Sequence, residues 1–266
     1  LEQQVGGNTV KRGKKDAINN FCTSVAANWP RCTSCHIGYG WKDASFDFSD
    51  STLVDCLVCH DTTGTYVKEP TGAGHPRKNV DLLHVAQNVG KPVRDNCGAC
   101  HYYGGGGDGV KHGDLDSSLN APSRELDVHM AAEGLDFTCS TCHVAEEHRI
   151  AGSRINVTAS DPHGAVTRGE RSERNRSTCQ SCHGDKPHQG NLLHAGRLND
   201  HTSVLACQSC HIPAFARGGV PTKMAWDWSS AGRMDANGKP FQTRNERGQV
   251  LYESRKGSFV LGEDVV

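Results

Sequence analysis

One five-residue pattern, Cys-x-x-Cys-His, occurs six times in this chain and constrains its fold more than any other feature. The copies are Cys32–His36, Cys56–His60, Cys97–His101, Cys139–His143, Cys179–His183 and Cys207–His211. They use twelve of the thirteen cysteines, which disfavours a zinc or redox-dithiol interpretation. The pattern is the attachment signature of c-type haem, because two thiols add to the vinyl groups on one porphyrin edge and the next imidazole ligates the iron. The sequence therefore predicts six covalently attached haems.

Each motif supplies two attachment residues and one iron ligand. The predicted cofactor-binding residues are Cys32, Cys35, Cys56, Cys59, Cys97, Cys100, Cys139, Cys142, Cys179, Cys182, Cys207 and Cys210. The predicted proximal ligands are His36, His60, His101, His143, His183 and His211.

The composition indicates a chain with little side-chain core of its own. Only 35% of the residues are hydrophobic, and thirty are glycine. Six haems would supply the missing apolar mass, one for about 44 residues. We therefore predict a mainly irregular and α multihaem cytochrome c fold, in which short helices and loops wrap around a stack of haems with little or no sheet.

The motif positions imply one haem-wrapping unit over residues 1–266 rather than separate domains. Residues 1–21 are a polar, basic lead-in, residues 22–211 hold the six-haem core, and residues 212–266 form a C-terminal segment without motifs. We expect that segment to pack over the haems or against another chain, since 55 residues are too many for a frayed end.

Two local patterns stand out between the motifs. Asn120-Ala121-Pro122 leads into a stretch, 123–132, with a capping side chain, a proline near the start and apolar spacing, which predicts a short helix. Glycines 104–107 follow the third motif, where the absence of Cβ atoms would let the backbone lie against a porphyrin face. A low-complexity linker is the alternative for the glycines.

Charge and hydropathy indicate where such a chain works. The formal net charge is −1 before the haem propionates are added, so the assembled surface should be more acidic. No run of eighteen apolar residues and no charged-then-apolar leader is present, and we expect neither a membrane span nor an unprocessed precursor. Since covalent haem attachment is extracytoplasmic, we expect a periplasmic or extracellular protein.

Histidine is more abundant than six bis-histidine haems require. Nine histidines lie outside the motifs: His75, His84, His112, His129, His148, His163, His188, His194 and His201. A low-spin electron-transfer haem needs one distal imidazole, so six haems need six, or five if one iron is kept for chemistry. This surplus disfavours the alternative axial ligands Met130, Met224 and Met234.

Cys22 is the one cysteine outside a motif. In an oxidising compartment such a thiol is buried and inert, paired between chains, or held near a reactive centre. Its position alone leaves these alternatives open.

Several segments across almost the whole chain resemble the octahaem tetrathionate reductase family. They are Ile18–Cys22, Pro30–Asp43, Asp61–Tyr66, Gly104–Asp114, Leu126–Met130, Cys207–Arg217 and Trp226–Trp228. That family has eight haems, with one motif upstream and one far downstream that this sequence does not contain. The chain is then either a piece of a longer polypeptide or a trimmed six-haem relative, and the histidine surplus favours the first.

The resemblance also implies roles for the remaining ligands. Eight haems with one catalytic iron need seven distal imidazoles, and the family pattern matches seven here: His75, His112, His129, His148, His163, His188 and His201. His84 and His194, each after a Leu-Leu pair, would be spares.

The resemblance places catalysis at the haem on the first motif. It implies that Lys111 is an unusual lysine ligand to that iron, with Asp108 and Cys22 near the same pocket. Without the resemblance, Lys111 would be a solvated loop lysine. How His36 shares that iron is not defined by the sequence.

Two functions remain open at this stage. The first is a reductase of tetrathionate, nitrite or hydroxylamine, in which packed haems relay electrons to a catalytic haem. The second is a non-catalytic electron conduit with bis-histidine ligation throughout, either as a single copy or as a homo-oligomer or filament. Either would receive electrons from other cytochromes or quinol-linked donors; the first also binds a small anion. We expect no nucleic-acid partner.

Overall fold

The computed structural model describes residues 2–5, 7–11, 33–104, 107–110, 115–150 and 179–266. The chain divides into two compact units, Leu1–Cys100 and His101–Val266. The single haem-wrapping unit expected from the sequence stays a prediction.

Short helices occur along both units. The α-helices in the described ranges are α1 (Leu57–His60), α2 (Leu82–Gln87), α3 (Arg94–His101), α4 (Cys139–Cys142), α5 (Cys179–His183), α6 (Leu192–His201) and α7 (Gln208–His211). Single 3-10 turns cover Thr33–Cys35, Ser51–Leu53, Ser117–Asn120 and Trp228–Ser230. No helix in the described ranges is both long and apolar enough to cross a bilayer.

Side-chain caps explain where α2 and α6 begin. The Asp81 carboxylate accepts the His84 amide at 3.0 Å at the start of α2. The Asn191 side chain accepts the Leu193 amide at 3.1 Å at the start of α6. Each cap satisfies one backbone donor that the helix cannot pair internally.

The first unit packs around a few apolar side chains. Val85 and Trp41 are almost fully buried, and the Trp41 ring contacts the rings of Phe46 and Phe48 at centroid distances of 5.8 and 4.9 Å. Gly74 (φ +92°) lies against Gly38, where a Cβ atom would stand 2.1 Å from a carbonyl oxygen. Only glycine permits this close backbone approach.

Within the described residues, the strands form three antiparallel arrangements. Two are small hairpins: β1 (Glu2–Val5) with β2 (Asn8–Lys11), and β3 (Ala145–Glu146) with β4 (Arg149–Ile150). The third is a four-stranded sheet in the order β5-β8-β7-β6. Its strands are β5 (Thr222–Asp227), β6 (Gln242–Arg244), β7 (Val250–Glu253) and β8 (Gly257–Gly262).

The four-stranded sheet differs from the expectation of little or no sheet. Tyr252 and Phe259 are buried on it, and the Tyr252 hydroxyl donates to the Ser230 carbonyl at 2.9 Å. Gly257 (φ +84°) opens β8, where a Cβ atom would stand 2.1 Å from the Asp227 carbonyl oxygen. The C-terminal segment thus has a small side-chain core of its own, which the low average hydrophobicity of the chain concealed.

The helix predicted over residues 123–132 is wrong, because the structure has separate turns there. The Leu126 and Asp127 amides both bond to the Ser123 carbonyl at 3.0 Å. The Asp127 carboxylate then accepts the amides of His129 and Met130, each at 2.9 Å. These side-chain bonds take backbone donors that a continuous helix would have used.

Candidate haem-attachment and iron-ligand sites

Five of the six motifs lie on α-helices, namely α1, α3, α4, α5 and α7. In the second motif the His60 amide donates to the Cys56 carbonyl at 3.1 Å, and in the sixth the His211 amide donates to the Cys207 carbonyl at 3.0 Å. Residues four apart share one face of a helix. The first cysteine and the histidine of a motif therefore project to the same side, as attachment to one porphyrin requires.

The first motif is wound more tightly, since Thr33–Cys35 form a 3-10 turn and the His36 amide donates to the Thr33 carbonyl at 3.0 Å. The buried Thr33 hydroxyl donates to the Trp41 carbonyl at 2.5 Å. The Trp41 ring meets the His36 imidazole edge-on at a centroid distance of 4.4 Å. These contacts fix the turn against an aromatic cluster; Cys32 itself lies outside the described residues.

The His60 ring is oriented by a main-chain acceptor. Its Nδ1 atom lies 2.7 Å from the Gly90 carbonyl oxygen. A carbonyl oxygen can only accept, so Nδ1 is the donor in this bond and Nε2 is the ring nitrogen on the other side. Imidazoles that ligate metals are held in this way, with one nitrogen on a carbonyl and the other on the metal.

Two of the predicted distal histidines lie beside motif histidines. The ring centroids of His129 and His183 are 6.1 Å apart, and those of His188 and His211 are 5.9 Å apart. Two imidazoles on opposite sides of one metal, with bonds of about 2 Å, have centroids about 6 Å apart. The chemistry and spacing of these residues therefore fit a six-coordinate haem iron.

The His188 ring is also oriented by a neighbour. Its Nδ1 atom lies 3.1 Å from Asn199 Oδ1, while Asn199 Nδ2 donates to the His188 carbonyl at 3.1 Å. The second bond fixes the Asn199 amide, so that Oδ1 is the acceptor facing the ring. His188 thus presents Nε2 to its other side, as His60 does.

The other extra histidines occupy varied positions. His75 lies beside Tyr39, with ring centroids 5.7 Å apart; His148 is in the turn between β3 and β4 with φ +64°; His201 ends α6. His84 and His194, the predicted spares, are exposed. His112 and His163 lie outside the described residues.

Cysteines of different motifs contact one another within each unit. A hydrogen bond with Cys35, followed by burial, raises the pKa of the Cys100 thiol in the first unit. In the second unit, burial and the neighbouring Cys207 raise the pKa of Cys179. Burial and the charge of Cys182 raise the pKa of Cys142. The attachment edges of the corresponding motifs are therefore close together.

Asp108 is the one predicted catalytic residue that lies in the described part of the chain. Its carboxylate accepts the Ser117 amide at 2.8 Å and the Ser117 hydroxyl at 2.7 Å. Lys223 Nζ donates to the Asp108 carbonyl at 2.6 Å, and the Lys223 amide donates to the Gly109 carbonyl at 2.9 Å. The segment 107–110 is therefore hydrogen-bonded to β5. Lys111 and Cys22 lie outside the described residues.

A buried polar cluster in the first unit escaped the sequence analysis. The Asp55 carboxylate accepts the Tyr39 hydroxyl at 2.9 Å and the Leu57 amide at 3.1 Å, and it also accepts the Tyr66 hydroxyl. Burial and the bond to Asp55 raise the pKa of Tyr39 to about 12, and the same causes raise the pKa of Tyr66. Lys68 completes the cluster, with its Nζ atom 3.5 Å from Asp55 Oδ2. Its members share no spacing; the position of Asp55 directly before a motif was the one available signal.

Comparison with known proteins gives three similarities. A model described as bacterial cytochrome c matches residues 223–266, which follow the last motif and form most of the four-stranded sheet. The chain is 49% identical to an octahaem cytochrome c of known crystal structure from Shewanella oneidensis, over 100% of this chain and 54% of that one, with a TM-score of 0.69. It is also 28% identical over 184 residues to an uncharacterized protein of Archaeoglobus fulgidus, covering 60% of this chain and 59% of the relative.

These similarities agree with the site geometry. The chain spans little more than half the length of the relatives that it matches. The similarities and the motifs support a multihaem c-type cytochrome with covalently attached haem.

Proposed function

We propose that this chain is a periplasmic or extracellular multihaem cytochrome that carries six c-type haems and moves electrons between them. The observation that carries the proposal is the spacing of the imidazole pairs His129–His183 and His188–His211, which suits one iron between each pair. Bound haem supplies reversible one-electron storage. The chain supplies the ligands, their orientation and the packing.

The pairs assign distal ligands to two motifs. His129 serves the haem of the fifth motif, through His183, and His188 serves the haem of the sixth, through His211. The Asn199 side chain supports the second assignment, because its contact with Nδ1 orients the His188 ring with Nε2 on the other side.

The cysteine contacts support close haem packing. Cys35 meets Cys100 in the first unit, and Cys179 meets Cys207 in the second. Sulfurs of two motifs in contact bring the attached porphyrin edges near each other. A chain with so little protein per haem cannot separate neighbouring haems widely. This packing suits electron transfer between the two haems of each contacting pair of motifs.

We further propose that the haem of the first motif is a reductase site for tetrathionate, nitrite or hydroxylamine, with Lys111 as a ligand to its iron. The resemblance of the Gly104–Asp114 segment to the octahaem tetrathionate reductase family supports this proposal. A lysine must be neutral to bind iron, which costs about 4 to 5 kcal/mol at pH 7, so its loop must be held firmly. The bonds from Asp108 to Ser117 and from Lys223 to Asp108 provide such support. Asp108 would then act by positioning the loop.

The electron conduit is the alternative and would replace the reductase if Lys111 proves unimportant. Both functions need a donor protein, for which other cytochromes or quinol-linked enzymes are the expected class. The reductase needs a small anionic substrate as well, whereas the conduit needs none and works either as a single copy or as a homo-oligomer or filament.

The test uses the haem-loaded full chain. A pyridine haemochrome assay combined with intact mass should return six haems per chain. Lys111→Leu should change the spectrum of one haem and abolish tetrathionate and nitrite reduction by a dye donor, with haem content unchanged. The control is Lys78→Leu, at an exposed lysine, which should leave both properties as they are. If the Lys111 variant behaves like the control, the conduit is the better description.

A further inference from the structure

A carboxylate that belongs to no motif lies almost fully buried between the first two motifs. Asp55 is 1% exposed and directly precedes Cys56. Its two oxygens receive three hydrogen bonds, from the hydroxyls of Tyr39 and Tyr66 and from the Leu57 amide. A group that only accepts bonds from three donors matches an ionised carboxylate.

The charge of Asp55 is balanced by one buried cation. Lys68 Nζ lies 3.5 Å from Asp55 Oδ2, and the two side chains are 9% and 0% exposed. A buried carboxylate requires such a partner, since transfer of an isolated charge out of water is costly. The pair is poorly screened by solvent or salt because of its burial.

The two charges face two different motifs. Lys68 Nζ donates to the His36 carbonyl at 2.6 Å, at the residue that would ligate the iron of the first motif. Asp55 bonds to the Leu57 amide at the start of α1, the helix of the second motif. The charges of Asp55 and Lys68 also act on the thiol of Cys59.

We propose that Asp55 and Lys68 form a buried charge pair that sets the reduction potentials of the first two haems, with Lys68 raising them and Asp55 lowering them. Iron gains one positive charge on oxidation, so a nearby cation disfavours the oxidised state and a nearby anion favours it. This inference rests on the proposed function only for haem attachment to the first two motifs.

Because the two charges lie near different motifs, the pair affects the potentials of the first two haems differently. Lys68 contacts the first motif, whereas Asp55 is adjacent to the second, so the pair raises the potential of the first haem relative to that of the second. This contribution favours electron transfer toward the first motif. Both residues are positioning residues, because they act on the haems through charge and do not touch a substrate.

The test is a spectroelectrochemical titration of the haem-loaded full chain and two single variants. Lys68→Met should lower the midpoint potential of at least one haem, because Asp55 is left uncompensated. Asp55→Asn, of nearly the same shape, should raise a midpoint potential because Lys68 is left uncompensated. A purely structural role would not produce shifts of opposite sign. Shifts of the same sign, or an unchanged titration curve in either variant, would overturn the proposal.

Two controls complete the design. In the double variant Asp55→Asn/Lys68→Met the two opposite shifts should occur together, so that the midpoint potentials of the first two haems approach each other. Potentials that keep their wild-type separation would contradict the proposal. Arg77→Met and Glu69→Gln remove the same charges from an exposed ion pair, 48% and 51% exposed, and should leave the curve unchanged. If Lys68→Met does not fold, Lys68→Gln replaces it. A haemochrome count on every sample separates two failures: a wild-type chain without these haems contradicts the proposed function, whereas full haem content without the potential shifts contradicts this inference.

Discussion

His60 Nδ1 lies 2.7 Å from the Gly90 carbonyl oxygen, thirty residues along the chain. The Gly90 amide donates to the His60 carbonyl at 2.9 Å, so two hydrogen bonds join these residues. This reciprocal pairing orients the imidazole of the second motif, with Nε2, the nitrogen that we propose binds the haem iron, on the side away from Gly90.

Gly90→Ala should disturb this orientation. A Cβ atom at position 90 would stand 2.7 Å from Thr62 Cγ2, so the segment that carries the carbonyl must shift. A weaker bond to Nδ1 makes the imidazole less basic, and the midpoint potential of one haem should rise. Adding Thr62→Ser removes the clashing methyl but keeps the hydroxyl that bonds to Asn88. The double variant should regain the wild-type potential; a curve identical in all three proteins would contradict the assigned role of Gly90.

His188→Leu should remove the distal ligand of one haem. We expect one of the low-spin haems to become high-spin, seen by electron paramagnetic resonance and by visible absorption. His194→Leu is the matched control, since His194 is exposed on α6. Equal spectra for the two variants would show that His188 does not ligate iron.

Lys223→Leu should loosen the segment that precedes Lys111. The variant loses the bond from Nζ to the Asp108 carbonyl at 2.6 Å and the cation–π contact with the Phe259 ring at 4.8 Å. Tetrathionate reduction should fall, by less than in Lys111→Leu, while haem content stays at the wild-type value. Lys239→Leu, at an exposed position, is the control. Unchanged activity in Lys223→Leu would show that the bond from β5 to Asp108 does not support the reductase site.

The Tyr66 phenol should make the fold sensitive to alkali. Burial, then the hydrogen bond to Asp55 and its charge, raise the folded pKa of Tyr66 above its ordinary value of about 10. The stabilisation this gives is present below about pH 10 and is lost as the pH rises further, because the unfolded phenol then releases its proton first. Tyr66→Phe should therefore show a smaller fall in the guanidinium unfolding midpoint between pH 8 and 11. Tyr103→Phe, at an exposed tyrosine, should behave as wild type.

The cofactor chemistry was readable from the sequence because covalent attachment is local. Two thiols and an imidazole must lie within five residues, and one helical turn brings them to one side. The resemblance also selected His129 and His188, which the structure places beside motif histidines. Which motif histidine each one meets was not readable, since a distal ligand can come from any loop that returns to the haem.

The six Cys-x-x-Cys-His motifs, the surplus of histidines and the low apolar content are all visible in the sequence. Four features depend on residues far apart in the chain and are visible only after folding. They are the imidazole pairs, the hydrogen bond between His60 and Gly90, the four-stranded sheet and the buried Asp55–Lys68 pair. Asp55, Tyr66 and Lys68 are ordinary polar residues in the sequence. They act as a cluster because folding removes them from water together, and a buried charge is stable only with its partners in place.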